Sequence, residues 1–472
     1  MIKINYNLKP HDLIPKIKRL WELSAPKIRA IEKSFSPGKG APVFTIKGKY
    51  VTKGWTEWTR GFQYGSAILQ YDATSDKSFL KTGREMTLKM MAPHLSHTGV
   101  HDHGFNNVST YGNLWRLMQE GKLQENNWER NFYVLALKLS GAVQAHRWTQ
   151  LDDKSGFIYS FNGPHSLFAD TIRSLRSLAL AHLFGHYLME ENDKEISLLD
   201  RLIKHAYTTA KYNVYYGDGR DDHDTPGRVA HESIFNTYDY TYRCPNSQQG
   251  FSPFTTWTRG LVWVILGFTE ELEFLNILND NELKLFGGRK AIERMMLEAA
   301  LVTSDFYIKN TPTDGIPYWD TGAPGLKKLG DYLSKPALPF NDHEPVDSSA
   351  ASIAAQGLLR LGHYLASRGV PKEAKRYWQA GLTILNTLFD EPYISTNKRH
   401  QGLILHSIYH RPKGWDYIPK NSLIPVNESS MWGDYHAREA AVYITRIVRK
   451  GIYYTFFGPV PKKRNLIIYE KS

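Results

Sequence analysis

Ser160-Phe161-Asn162-Gly163-Pro164-His165-Ser166-Leu167-Phe168-Ala169-Asp170-Thr171-Ile172-Arg173-Ser174-Leu175 sets a turn-forming Asn-Gly-Pro ahead of an acidic residue, and helical periodicity follows at once. Leu175, Leu178, Ala179, His182 and Leu183 recur at the spacing of one helical face. Asp170 therefore belongs near a helix N-terminus, where unpaired N–H groups and the macrodipole favour a carboxylate. Taken alone, such an Asp is an ordinary helix cap.

The arrangement recurs along the chain. Polar helix starts are expected at His101-Asp102-His103-Gly104, Thr255-Thr256-Trp257, Asp347-Ser348-Ser349 and Gly433-Asp434-Tyr435. Residues 11–34 read as an amphipathic helix, and Ser34 to Pro42 carry loop chemistry, so 1–42 is expected as an N-terminal extension. Trp58-Thr-Arg-Gly61 returns as Trp257-Thr-Arg-Gly260, each opening an apolar helix with a second glycine, Gly65 or Gly267. That echo predicts a quasi-repeated architecture. Strand-like alternation is scarce, with Asn465 to Tyr469 the best candidate. The reading is one all-α domain over 43–458, built of helical hairpins whose polar starts gather at one mouth, and a tail over 459–472.

Composition narrows the function. Lys plus Arg outnumber Asp plus Glu by 59 to 47, a net charge of +12, which favours an acidic partner such as an anionic sugar. Basic residues are spread out, with only Lys462-Lys463-Arg464 clustered, and no nucleic-acid-binding signature appears, so nucleic acid is the weaker expectation. Cys244 is the sole cysteine, which excludes an intrachain disulfide and a thiolate metal cluster. No run of 18 apolar residues exists, so no membrane span is expected. The N-terminus lacks the apolar core of a signal peptide; the expected location is cytoplasmic, or periplasmic if a leader has been trimmed.

Asp102 and Asp170 are the acids to weigh together, since a carboxyl pair across a cleft is common equipment for acid/base work on sugars. Their separation in sequence does not by itself bring them together. His101 and His103, at i and i+2, face different sides of a helix and chelate a metal poorly. Gly217 to Asp224 superficially resembles a calcium loop, but Arg220 stands at a ligand position and rules it out. Neither metal nor cofactor is expected. Arg259, at a helix start, suits either a bidentate pair with a substrate carboxylate or a tie between loops.

Taken in order, Trp58-Thr-Arg-Gly-Phe62, His101-Asp-His-Gly-Phe105, Ser160-Phe-Asn162 with Asp170-Thr171, and Gln249-Gly-Phe-Ser252 leading to Arg259 resemble the unsaturated glucuronyl hydrolases, glycoside hydrolase family 88. The likeness continues through Asp347-Ser-Ser-Ala-Ala351, His406, Tyr409-His-Arg-Pro412 and Trp432-Gly-Asp-Tyr435, and spans about Trp55 to Arg446. It implies an (α/α) toroid of six helical hairpins acting without metal or cofactor. It implies Asp170 as general acid/base and Asp102 as its partner, raising the pKa of Asp170. His101, His231, Gln249, Trp257, Arg259 and Trp58 are implied substrate contacts. The implied reaction removes a terminal 4,5-unsaturated uronic acid from a lyase-generated oligosaccharide by hydrating its double bond, proton to C4 and water to C5.

Two departures stand out. Ser174 occupies the place where the family usually has Asn, flanked by Arg173 and Arg176, and the stretch from Arg220 to Glu232 looks enlarged. The two arginines are expected either to serve a sulfated sugar or to be surface charge. Alternatives on a similar toroid are an unsaturated rhamnogalacturonyl hydrolase, a uronate lyase, or a non-catalytic binder of anionic glycans.

Overall fold

Among the described residues, twelve main helices alternate between an outer and an inner ring. The computed structural model describes residues 1–35, 38, 40–54 and 57–458. Trp55, the Lys462 to Arg464 cluster, the candidate strand Asn465 to Tyr469 and the whole 459–472 tail lie outside the described residues. The outer helices are α1 (Ile14–Ser34), α3 (Lys77–Met90), α5 (Asn127–His146), α7 (Leu198–Tyr212), α9 (Arg289–Lys309) and α11 (Pro371–Leu388). The inner helices are α2 (Arg60–Thr74), α4 (residues 103–119), α6 (residues 171–183), α8 (Thr258–Leu275), α10 (Ser348–Ser367) and α12 (Met431–Val448). Within α4, His103–Asn107 passes through a π turn at Val108–Gly112 into Asn113–Gln119, and α6 joins Thr171–Ser174 to Arg176–Leu183.

Each inner helix packs on the next, and α12 returns to α2, closing the ring. The inner position explains why α8 and α10 are buried on nearly every face, whereas α7 and α11 carry one apolar stripe. Close approach demands small residues. A side chain at Gly104 would come within 2.1 Å of the Ser174 carbonyl oxygen, and one at Gly267 would strike Ile172 at 2.7 Å. The Trp-Thr-Arg-Gly echo is thus architectural: its two copies open α2 and α8, which stand opposite each other in the ring.

The fold is the (α/α) toroid of six hairpins, with one redistribution. The helix expected in an N-terminal extension is α1, the outer member of the first hairpin, and only with it do the hairpins number six. Ile17, Leu20, Trp21 and Ile31 bury in the same core as the inner ring. The apolar face of that helix has to be covered, and α2 and α12 cover it.

Nine short strands of three to five residues also occur among the described residues. The three-stranded antiparallel sheet Ser166–Phe168, Glu232–Phe235, Tyr242–Asn246 matters most, because it delivers Asp170. Phe168 pairs with Glu232, and the Ala169 N–H then donates to His231 O at 2.9 Å.

Arg173 and Arg176 are neither surface charge nor substrate contacts. Both are fully buried, with Arg173 Nε 2.9 Å from Glu270 and its Nη2 3.5 Å from Glu439. Arg176 lies 3.9 Å from Glu439, and Arg360 pairs with Glu273 at 2.6 Å. This network ties α6, α8, α10 and α12 together along the toroid axis. Tyr454, after the last helix, donates to Glu439 at 3.0 Å.

Candidate active site

At the mouth of the toroid lies a cleft of about 400 Å³ whose lining includes Trp58, His101, Asp102, Asp170, Gln249, Trp257 and Arg259. Asp170 follows the strand Ser166–Phe168 and stands at the N-terminus of α6, where its side chain makes no capping hydrogen bond. Its Oδ1 lies 3.2 Å from His101 Nε2. The same nitrogen is 3.5 Å from Oδ1 of Asp102, at the N-terminus of α4. One buried imidazole therefore serves both carboxyls. Phe161 and Phe168 flank the ring, with centroids at 6.0 and 5.4 Å.

The electrostatics reverse the sequence expectation for the pair. Burial, with the charge of Asp170, pushes Asp102 up to about 6 against the pull of His101. Burial acts upward on Asp170 too, but the hydrogen bond and charge of His101, joined by His231 and Arg259, bring it below the ordinary carboxylate range. Burial opposes a charged His101, and the two carboxyls overcome that and raise its pKa. The single His nitrogen lies closer to Asp170 than to Asp102, so it favours the ionised form of Asp170 over that of Asp102.

A buried polar clamp holds the two acidic loops together. Ser174 Oγ accepts from the Gly104 N–H at 2.8 Å and donates to His101 O at 2.8 Å. Gln144, from α5, donates to His101 O at 2.8 Å and to Ser174 Oγ at 3.0 Å, and it accepts from Ser177. The small Ser174 leaves room for this amide. Gln144→Leu keeps the volume and removes the bonds, leaving buried acceptors underused at a cost of about 1–3 kcal/mol. The variant is expected to fold with a lowered thermal midpoint, and turnover should fall about tenfold while KM holds. Unchanged turnover in a destabilised variant would mean that Gln144 acts on the fold alone.

His231 sits beside the cleft, 2% exposed, and does not line it. Its Nδ1 accepts the N–H groups of Gln248 and Gln249 at 3.1 and 3.2 Å, and its ring packs on Trp257 at 4.5 Å. Burial lowers its pKa to about 4, so it is neutral and braces the Gln249 loop. Arg259 takes the second of the roles its position allowed, a tie between loops. It lines the cleft, yet Nη2 donates to Gln249 Oε1 at 2.7 Å and Tyr409 O at 2.8 Å, and Nη1 donates to Ile408 O. Its guanidinium lies over Trp257 and Trp432, each at 4.6 Å. Trp58, from the echo opposite, stacks on Trp432 at 5.1 Å. His103, by contrast, turns to His97 O and Ser140.

No protein-family model matches the chain. An unsaturated glucuronyl hydrolase of Formosa agariphila is 26% identical over 390 residues, covering 81% of this chain and 79% of its own. The chain is similar to the unsaturated glucuronyl hydrolases, which are glycosidases. An unsaturated chondroitin disaccharide hydrolase of Streptococcus agalactiae is 23% identical over 405 residues, covering 82% of this chain and 81% of its own. Among solved structures, an unsaturated glucuronyl hydrolase specific for heparin superposes with a TM-score of 0.68 at 20% identity, over 92% of this chain and 98% of that one. The Streptococcus agalactiae unsaturated glucuronyl hydrolase gives 0.66 at 20% identity, over 93% and 96%.

Sequence reasoning passed over several walls of this cleft: Phe105, Trp263, Tyr409, His410 and Trp415. Trp263 was within reach, since it lies four residues past Arg259 on the same helix and so on the same face. Trp415 is set by an irregular loop and carried no periodic signal. The stretch from Arg220 to Glu232 folds on itself. Asp224 accepts the N–H groups of Gly217 and Arg220, and Arg220 and Arg228 lie over Tyr215 at 4.3 and 3.6 Å.

Proposed function

We propose that this cleft removes the terminal 4,5-unsaturated uronic acid from lyase-generated oligosaccharides, with Asp170 as general acid/base and Asp102 as its partner. The observation that carries this reading is the pair of buried carboxyls facing one imidazole, one carboxyl held protonated to about pH 6 and the other ionised. Arg259 and Gln249 supply donors for the uronate carboxylate. Trp58 and Trp257 offer faces for sugar rings. A variant of the Streptococcus agalactiae enzyme has been solved with dGlcA-GalNAc6S, an unsaturated uronic acid on a sulfated amino sugar, which supports the same substrate class here.

Entry of an anionic sugar and expulsion of water both disfavour a second ionised carboxyl, so the bound state favours a proton on Asp170. Asp170 gives that proton to C4, the double bond's electrons move, and positive charge develops at C5 beside the ring oxygen. Water adds at C5 and its proton returns to the Asp170 carboxylate. The resulting hemiketal opens its ring, leaving a hemiacetal at C1 that expels the neighbouring sugar. Atoms and charge balance with water as the only co-reactant.

The test is ultraviolet absorbance over time with unsaturated disaccharides, sulfated and unsulfated, and with intact polysaccharide. Loss of the double-bond absorbance on a disaccharide is expected. A rise on polysaccharide would make the protein a lyase, and no change on any of them would leave a glycan-binding toroid.

A further inference from the structure

A row of buried polar atoms lies beside the segment that carries Asp170. His205, Thr209 and Asn213 stand at steps of four residues along α7 and its C-terminal cap, so they share one face. That helix packs on the strand Gly156–Ile158 and on the start of α6 at Thr171–Ser174. Asn213 Nδ2 donates to Ala230 O at 3.0 Å, and the next carbonyl, of His231, accepts the Ala169 N–H. None of His101, Thr171, His205, Thr209 and Asn213 is more than 1% exposed. Yet among the described residues His101 Nδ1, Thr171 Oγ1, His205 Nε2, Thr209 Oγ1 and Asn213 Oδ1 have no hydrogen-bond partner. Buried groups of this kind need partners, and internal water is the usual one.

The His205 ring has a fixed tautomer. Its Nδ1 accepts the Ile158 N–H at 3.0 Å. Burial, with the charge of His101, lowers its pKa to about 3 against the pull of Asp170. The ring is therefore neutral, with its proton on Nε2. His101 gives its own Nε2 to the two carboxyls, so in its charged form Nδ1 is a second donor. Each imidazole lies within reach of the other's charge, but two N–H donors cannot bond one another. A water oxygen takes both.

We propose that His205 is a positioning residue for the acid pair, holding His101 through one internal water bound between His205 Nε2 and His101 Nδ1. The hydroxyls of Thr171 and Thr209 offer acceptors for that water's own hydrogens. The consequence for catalysis rests on the acid/base reading of Asp170: His101 keeps a partner on Nδ1 while the trio exchanges its proton, so its ring stays aimed at the carboxyls. The charged groups that act on His101 are Asp102, Asp170 and Arg147, and those that act on His205 are His101 and Asp170.

Two substitutions separate this role from support of the fold. His205→Asn sets an acceptor where Nδ1 stands and keeps the Ile158 bond, but it loses the Nε2–H. His205→Gln sets an N–H where Nε2 stands and leaves the Ile158 N–H unpaired. His205→Asn is expected to hold the thermal midpoint near the parent's and to lower kcat about tenfold, with KM within about twofold. The His101 titration should move down by about one pH unit, because Nδ1–H then lacks its acceptor and burial opposes the charge. Nuclear magnetic resonance of isotope-labelled histidine reads that titration, with His101→Gln giving the assignment. His205→Gln should return kcat to within about threefold of the parent and restore the titration, at a lower thermal midpoint. A high-resolution crystal structure of the parent should show one water within hydrogen-bond distance of both nitrogens. A dry seam there, an unmoved His101 titration in His205→Asn, or a greater loss of kcat in His205→Gln than in His205→Asn overturns the proposal. The water and the titration are read without turnover, so they test this role of His205 even if the acid/base reading of Asp170 fails.

Discussion

Asp170→Asn is expected to abolish turnover, by about a thousandfold, while the fold and the affinity for unsaturated oligosaccharide stay close to those of the parent. Among the described residues the Asp170 side chain caps nothing, and it hydrogen-bonds to His101 within the site. Asn fills the same space and still accepts from an imidazole N–H, so no buried group is stranded. What it cannot do is hand over and take back a proton. Calorimetric titration with an unsaturated disaccharide, beside the absorbance assay, separates binding from chemistry. Turnover within a few-fold of the parent would take the acid/base role away from Asp170.

The pH dependence belongs to the same trio. Asp102, held at about 6, sits above its unfolded value of about 4. A raised carboxyl contributes stability that is full below about pH 4 and lost as pH rises through about 6. If the shared proton drives the reaction, kcat/KM should decline on the alkaline side of pH 6. Asp102→Asn should flatten the stability profile between pH 4 and 6. In Asp170→Asn the Asp102 titration should move to lower pH, since the neighbouring negative charge that raised it is gone.

The ring was legible in the sequence because inner helices announce themselves by apolar periodicity on all sides and by polar first turns such as Asp347-Ser348-Ser349. The site was legible for the same local reason: His101-Asp102 and Asp170 stand at helix starts, and helix starts gather at the mouth. The short strands were not legible, since three to five residues are too few to show a period of two. The order of the two pKa values hung on which carboxyl the His101 nitrogen approaches, a matter of tenths of an ångström. Arg173 and Arg176 misled because their partners, Glu270 and Glu439, lie on other helices far along the chain. Buried arginine and substrate-facing arginine look alike until the partner is known.

Glu439→Gln is expected to show that the axis of the toroid holds the fold while its mouth does the chemistry. Burial alone would push the Glu439 carboxyl up; Arg173 and Arg176, with help from His436 and Arg360, overcome it and hold it at about 2. Glutamine keeps the shape and removes the charge, leaving two fully buried guanidinium groups with Glu270 as their nearest remaining carboxylate. Breaking such a pair from one side costs about 3–5 kcal/mol. A large fall in the denaturant midpoint at pH 7 is therefore expected. The folded pKa lies below the unfolded one, so this contribution is present above about pH 4 and fades as pH falls toward 2. The gap between parent and variant should narrow over that window. Arg173 lies three residues past Asp170 on the same helix, so the network also anchors the segment that carries the proposed acid. Where Glu439→Gln remains folded, turnover should fall only a few-fold, against about a thousandfold for Asp170→Asn. A variant as stable as its parent at pH 7 would mean that the axial charges offset only their own desolvation, and that apolar packing between the inner helices closes the ring by itself.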